Sequence, residues 1–176
     1  MAITTLDGFL AAPMQRIMLL KTASRASVAA IPFSVFDVAG NPGAGVLAGT
    51  STTTGVVPTD ATAGCPVINA FGAGATGYIT RIEASNSVAC RITLYDMLWK
   101  GGAYAFNAAV TGQTPTSFAS RLPNTDYKGL ELWYEQVTAS TGIQSVNVTY
   151  INQDGTTGRT TGVVSQGTAG IVGRMT

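Results

Sequence analysis

Residues 129 to 162 read GLELWYEQVTASTGIQSVNVTYINQDGTTGRTTG, with Val163 closing the stretch, and this part of the chain decides the fold class. Two sets of side chains alternate along its first part, with Leu130, Leu132 and Tyr134 on one face and Glu131, Trp133 and Glu135 on the other. A period of two is typical of a half-buried strand. Val146, Val148 and Tyr150 repeat the pattern, so the stretch predicts a β-meander.

A turn signal separates the last two segments of this meander. Asn152-Gln153-Asp154-Gly155 ends in an Asp-Gly pair, which accepts the positive φ angles of a hairpin turn. A Thr-rich return segment begins at Thr156. The sequence therefore predicts a hairpin around Asp154-Gly155.

Further strand-like segments precede the meander, at 28–38, 77–85, 87–98 and 101–110. A short turn at Asn86 joins the second and third of these segments into a predicted hairpin. About six to eight short strands at irregular spacing favour an all-β chain, folded as an antiparallel β-sandwich or a jelly-roll-like domain, over a parallel sheet. We expect one such domain over residues 28–176, carrying a long Gly/Thr/Ala-rich loop.

Residues 1–27 are predicted to form a short N-terminal helix or an extended arm. Within them, residues 3–23 are the best helix candidate of the chain: Thr4 or Thr5 can cap its start and Asp7 suits its positive end. Pro13 either ends a short helix or begins another. An arm that packs on a neighbouring subunit fits the same residues equally well.

The segment at about 39–77 is dense in Gly, Pro, Thr and Ala and nearly free of charge. A loop this long inside a compact domain is usually functional or docked on a partner. Its lack of charge argues against a freely disordered tail. We expect an ordered loop that lies on a partner.

Composition excludes several classes of function. Charged residues make up 11% of the 176 residues, less than half of the roughly 25% usual in soluble domains. A neutral surface of small residues favours coverage by other subunits. The net charge of +1, without Lys or Arg clusters, argues against nucleic-acid binding.

Apolar runs fall short of the roughly 20 residues that span a bilayer, so no membrane association is expected. The N-terminus does not resemble a secretory signal, which indicates synthesis in the cytoplasm.

The chemistry of catalysis is largely missing from the chain. It contains no histidine, so serine and cysteine triads cannot be assembled from it alone, and we expect no enzyme and no catalytic residues. Glu131 and Glu135 would lie about 13 Å apart on one strand, too far for a glycosidase pair, so we expect solvent-facing or interface charges at both positions. We expect no metal site and no cofactor. Cys65 and Cys90 are either two small buried or half-buried thiols or a disulfide.

Several of these stretches resemble a family of virion structural proteins encoded in the head gene clusters of tailed bacteriophages. The resemblance rests on LYDMLW at 94–99, RLP at 121–123, the run quoted above, TTLDGFL at 4–10 and GNPGAG at 40–45. It implies a capsid decoration (cement) protein on the outer surface of the virion head, stabilising the shell. Such proteins often bind as trimers over junctions between major capsid subunits. The implied partners are the major capsid protein and further copies of this chain, with a homo-oligomer, preferably a trimer, as the assembled form.

The apolar residues of the arm and the loop are the candidate contacts with the shell lattice: Phe9, Leu10, Ile17, Leu20, Val46, Val56, Val57 and Phe71. Burial of about 25 cal/mol per Å² of apolar surface would be repeated by every copy over a symmetric lattice. Two alternatives stay open. One is a tail or neck subunit, as a tube, adaptor or fibre base. The other is a carbohydrate-binding β-sandwich on the particle surface, in which Trp99 or Trp133 would stack on sugar rings.

Overall fold

The structure is a computed structural model that describes residues 3–46, 52–105, 107–122, 126–165 and 170–176. The described chain is mostly non-helical, with a few short antiparallel strands, as expected for the all-β class. Residues 47–51 of the predicted loop and Phe106 of the predicted strand segment 101–110 lie outside the described residues.

One α-helix, one 3-10 helix and six two-residue strands are described. The helices are α1 (Leu6–Ala11) and a 3-10 turn (Ala119–Arg121), and the strands are β1 (Leu20–Lys21), β2 (Gly40–Asn41), β3 (Ser145–Val146), β4 (Thr149–Tyr150), β5 (Arg159–Thr160) and β6 (Val164–Ser165). The strands form three antiparallel pairs, β1 with β2, β3 with β6 and β4 with β5.

Helix α1 begins where the sequence predicts a cap. Thr5 is the N-cap residue, and its Oγ1 accepts a hydrogen bond of 3.1 Å from the backbone N–H of Gly8. Asp7 lies in the first turn, close to the positive end of the helix dipole. The helix ends at Ala11, before Pro13, so the predicted span of 3–23 is helical over six residues only.

The predicted hairpin at Asp154-Gly155 is confirmed. Strands β4 and β5 pair with Thr149 opposite Thr160 and Tyr150 opposite Arg159. Between them the Asn152 side-chain oxygen accepts hydrogen bonds from the N–H groups of residues 154 and 156, at 3.1 and 2.8 Å. Gly155 has φ 77°, the left-handed conformation that glycine adopts without steric penalty. Strands β3 and β6 pair outside this hairpin and extend it.

The C-terminal residues 173–176 lie between two earlier segments of the chain. On one side, Met175 N donates to the Pro32 carbonyl at 3.0 Å and Ser34 N donates to the Gly173 carbonyl at 2.7 Å. On the other side, the backbones of Tyr134 and Thr176 bond reciprocally at 2.8 and 2.9 Å. This three-segment contact is the centre of the described fold, and the sequence patterns did not predict it.

Several predicted strands differ from the structure. The alternation at 130–135 does not separate a buried from an exposed face, because Leu130 and Leu132 are both exposed. Backbone hydrogen bonds to the C-terminal residues begin only at Tyr134. The predicted strand 28–38 is reduced to one bridge, between Phe33 and Arg174, and is otherwise turn, bend or irregular chain. Neither half of the hairpin predicted at 77–98 is paired with the other, and 101–110 contains no described strand.

The described interior is small and polar. Val38 is the one large hydrophobic residue of the described chain that is buried, whereas Gln136 and Arg174 are buried polar residues. The whole chain exposes 12835 Å². A compact monomer of 18.1 kDa exposes about 8,100 Å² by the scaling of surface with mass. The chain therefore exposes about 4,700 Å² more surface than a compact monomer of its mass.

Candidate interaction surface

The N-terminal arm presents apolar side chains to solvent. Phe9 and Leu10 on helix α1, together with Ile17 and Leu20 after it, are all exposed. Helix α1 has no buried residue, so it does not pack its apolar side chains on the described body of the protein. These four residues are thus free to contact a partner.

Two sets of hydrogen bonds hold the arm to the body. The Gln15 side chain bonds the backbone of Asn69 in both directions, with Nε2 donating to the carbonyl at 2.6 Å and Oε1 accepting from the N–H at 2.9 Å. Further along, Lys21 Nζ donates to the carbonyls of Val38 and Pro42 at 2.9 and 3.0 Å. The Gln15 hydrogen bonds attach the arm to the loop at Asn69, two residues before Phe71. The arm therefore contacts the loop close to Phe71.

The loop candidates divide into exposed and half-buried residues. Val46, Val56 and Phe71 are exposed, whereas Val57 is half-buried and is less available to a partner. The backbone of Val56 bonds that of Lys100 at 2.7 and 2.9 Å, which orders this part of the loop. The Phe71 ring lies over Gly77, in the space that a Cβ at that position would fill. We refer to the seven exposed candidates, Phe9, Leu10, Ile17, Leu20, Val46, Val56 and Phe71, as the apolar surface.

A polar centre lies behind this surface, where residues 173–176 meet 32–37 and 134–136. The Arg25 guanidinium donates to the Asp37 carboxylate and to the Val172 carbonyl. These two charged side chains are 10% and 21% exposed, so the pair is mostly withdrawn from water. Pairs of this kind stabilise a structure only while both partners are present.

Glu135 belongs to the same centre, in contrast to the expectation of a solvent-facing or interface charge. Burial raises the pKa of its carboxyl above the ordinary value of 4.5, while the Ser34 side chain and the charges of Lys100 and Arg25 act against that rise. Its Oε1 has no hydrogen-bond partner among the described residues. Glu131 stays exposed and accepts a hydrogen bond from Trp133 Nε1 at 2.9 Å, so the two carboxyls have different environments.

Neighbouring side chains in this region are mostly engaged with the protein itself. Lys100 Nζ lies 4.5 Å from the centre of the Phe36 ring, and burial lowers its pKa. Trp99 Nε1 donates to the Thr54 carbonyl at 2.9 Å, and its indole fills the space beside Gly55. Trp99 is therefore half-buried, with part of its indole packed on Gly55 and Gly101.

The two cysteines are separate thiols. Cys65 is half-buried, and burial raises the pKa of its thiol. Cys90 is exposed, which corrects the expectation that both are at least half-buried, and its Sγ accepts from Asn86 Nδ2 at 3.0 Å. Within the described ranges no group of three or more His, Cys, Asp or Glu side chains is placed to hold a metal ion.

Sequence reasoning identified the apolar surface but missed the polar centre. Arg25, Asp37 and Gln136 were not singled out, because nothing near them in sequence distinguishes them from solvent-facing residues. The sequence signal that could have found them is the small number of charged residues. In such a chain, a charge among apolar residues, such as Asp37 after Phe36, tends to have a partner.

Comparison with known proteins adds no relative, since no protein-family model, curated protein or solved structure matches the chain. Among the described residues, no helix has both the length and the apolar character needed to cross a membrane.

Proposed function

We propose that this chain is a non-enzymatic structural component of a tailed-phage virion, acting as a capsid decoration (cement) protein. In this role it binds the outer surface of the head as a homo-oligomer, preferably a trimer, and stabilises the shell through contacts with the major capsid protein. The resemblance of five stretches of the sequence to virion structural proteins supports the proposal.

The observation that carries the proposal is the size of the exposed surface. The chain exposes about 4,700 Å² more than a compact monomer of its mass. Permanent complexes bury about 2,000–5,000 Å² per interface. A subunit that remains on a lattice can cover such a surplus, whereas a free monomer would carry it as an aggregation hazard.

The chemistry of the exposed side chains favours burial against protein. They are largely aliphatic and aromatic along the arm and the loop, and the chain has few charges with which to repel a neighbour. The strand-like segments that lie unpaired in the single chain gain partners on assembly. We propose that the antiparallel β-sandwich is completed in this way, by pairing between subunits.

Binding to empty shells of the phage that carries the gene tests the proposal. Leu10 is 64% exposed, so its transfer into a lattice contact contributes about 1–2 kcal/mol. We expect Leu10→Ala to weaken binding about 5- to 30-fold in a co-sedimentation titration. Leu132→Ala is the matched control, because Leu132 is 57% exposed but lies outside the apolar surface.

Removal of residues 1–23 should reduce shell occupancy far more than either point variant, because it deletes the four arm candidates together. Full occupancy after this deletion, or equal losses for the two leucine variants, would show that the arm is not a lattice contact. Electron microscopy of particles then locates the protein. A ring of six or twelve copies at the neck or tail, with no copies over the shell, would exclude a decoration protein.

A further inference from the structure

Residues 79–95, which we call the open segment, lie unpaired along the surface. Every residue of the segment is exposed. No backbone–backbone hydrogen bond joins the segment to any other described residue. Its C-terminal end is anchored, since the Tyr95 ring centre lies 5.6 Å from that of Trp133. A long row of unpaired N–H and C=O groups is a template for pairing with another strand.

The open segment has the side-chain pattern of a half-buried strand. Its even-numbered positions include the apolar residues Ile82, Val88, Cys90, Ile92 and Leu94. Its odd-numbered positions carry the charges, at 81, 83 and 91. Since successive side chains of a strand point to opposite faces, one face of the paired segment would be apolar and the other polar.

Local geometry disfavours closure of the segment onto itself. A two-residue hairpin turn of the common types needs at least one residue with positive φ. None of the residues from Ala75 to Gly101 has a positive φ. The chain has neither glycine nor proline between Tyr78 and Lys100, and its turn-forming residues there are Ser85, Asn86 and Ser87, beside a bend at Ser87–Val88. The exposed backbone groups of the segment are therefore available to a strand of another chain.

We propose that the open segment pairs antiparallel with the open segment of a second copy, about a two-fold axis at Ser87, in a contact separate from the subunit contacts of the proposed trimer. In this register Ile82 lies opposite Ile92 of the second copy, and Glu83 lies opposite its Arg91. The two residue numbers of every pair add up to 174, so both are even or both are odd. The two side chains of a pair therefore lie on the same face of the ribbon. The two apolar faces therefore combine into one continuous apolar side of the ribbon.

Charge complementarity selects the second copy and the register. In the single chain Glu83 contacts the exposed Arg81, and in the paired segment it exchanges that contact for Arg91 of the second copy. This pairing occurs twice by symmetry, and no like charges stand opposite each other. A shift of the axis to Asn86 would place Arg81 opposite Arg91, which is destabilising. A shift of half a residue would put apolar side chains opposite polar ones. The segment supplies 17 residues from each copy, close to the roughly 20–30 residues a side of a stable interface.

Disulfide trapping of the purified protein in solution tests this pairing without shells, so its outcome is independent of the decoration role. The background variant carries Cys65→Ser and Cys90→Ser. A residue on the axis faces its own copy at a Cα separation of about 4.5–5.5 Å, within the reach of a disulfide. We expect Ser87→Cys to give a covalent dimer on a non-reducing gel after air oxidation.

A single cysteine away from the axis is the matched control. Ser85 lies about 13 Å along the ribbon from Ser85 of the second copy, beyond the reach of a disulfide. Ser85→Cys alone should therefore remain monomeric on the gel. A dimer band of equal strength for Ser85→Cys and Ser87→Cys would indicate collisional cross-linking and would overturn the register.

The double variant Ser85→Cys with Ala89→Cys separates the two ways in which the segment can pair. In the proposed dimer each Ser85 position faces the Ala89 position of the other copy, so the product is a covalent dimer held by two disulfides. In a hairpin closed within one chain the same two cysteines form an internal disulfide and the product is a monomer. A monomeric product, or no disulfide in either variant, refutes the proposal.

Discussion

Gly170→Ala tests the polar centre with a single methyl group. Gly170 is buried beside the Gln136 carboxamide, and a Cβ at residue 170 would overlap the Oε1, Nε2 and Cδ atoms of that side chain. Neither the Gln136 side chain nor the Gly170 backbone can move aside easily. Gln136 is 2% exposed, and Gly170 is held by the Ser140 hydroxyl, which accepts from its N–H at 3.0 Å.

The expected loss follows from overpacking. A methyl group forced into a filled site costs about 1–3 kcal/mol of unfolding free energy. For a chain of this length, each kcal/mol changes the midpoint of thermal unfolding by about 2–4 °C. Gly142→Ala is the matched control, because a Cβ there meets nothing within 4 Å and its φ lies outside the left-handed region. That variant should gain about 0.4–1 kcal/mol through the unfolded chain.

Urea unfolding followed by circular dichroism measures both variants, and a double-mutant cycle identifies the cause. Gln136→Ala removes the carboxamide that the new methyl group would overlap. In that background Gly170→Ala should have little effect, which gives a coupling energy of about 1–3 kcal/mol. An equal loss from Gly170→Ala in both backgrounds would refute the packing of Gln136 against Gly170.

Four further variants test three separate features. Because the pKa of Glu135 is raised, the folded state binds the proton more tightly than the unfolded chain. Thermal stability should therefore fall as pH rises above 4.5. Melting curves of Glu135→Gln should lack this pH dependence. Asp37→Asn leaves Arg25 unpaired and should lower the unfolding free energy by about 3 kcal/mol. Glu83→Gln should lower it by less than about 1 kcal/mol, because its pair with Arg81 is exposed; equal effects in urea titrations would contradict this. Gly155→Ala should lower the melting midpoint through about 1–2 kcal/mol of left-handed strain, and an unchanged midpoint would argue against the turn.

Features set by neighbouring residues were predictable from the sequence. Thr5 caps helix α1 through a group three residues away, and Asn152 and Gly155 build their turn within five residues. In both places the side-chain chemistry and the backbone conformation are decided locally. The candidate residues of the arm and the loop were chosen from their apolar character and neutral context alone, and their role as lattice contacts stays a prediction.

Features set by distant residues were not predictable. The bridge between Phe33 and Arg174 joins segments 141 positions apart, and periodicity carries no information about which segments meet. Glu135 was misjudged for the same reason, since its burial comes from the segment 173–176 and from the Arg25 region. The prediction of strand 28–38 failed because Ala30, with φ 61°, turns the chain before Phe33.

The ring contact between Tyr95 and Trp133 gives the protein an intrinsic optical reporter. Tyr95 ends the open segment, and Trp133 lies in the segment that leads to the polar centre. Indole emission responds to the polarity around the ring, so replacement of Trp99 by Phe leaves one fluorophore at the junction of the two regions. Spectra recorded during dilution or shell binding then follow the rearrangement of that junction without any attached dye.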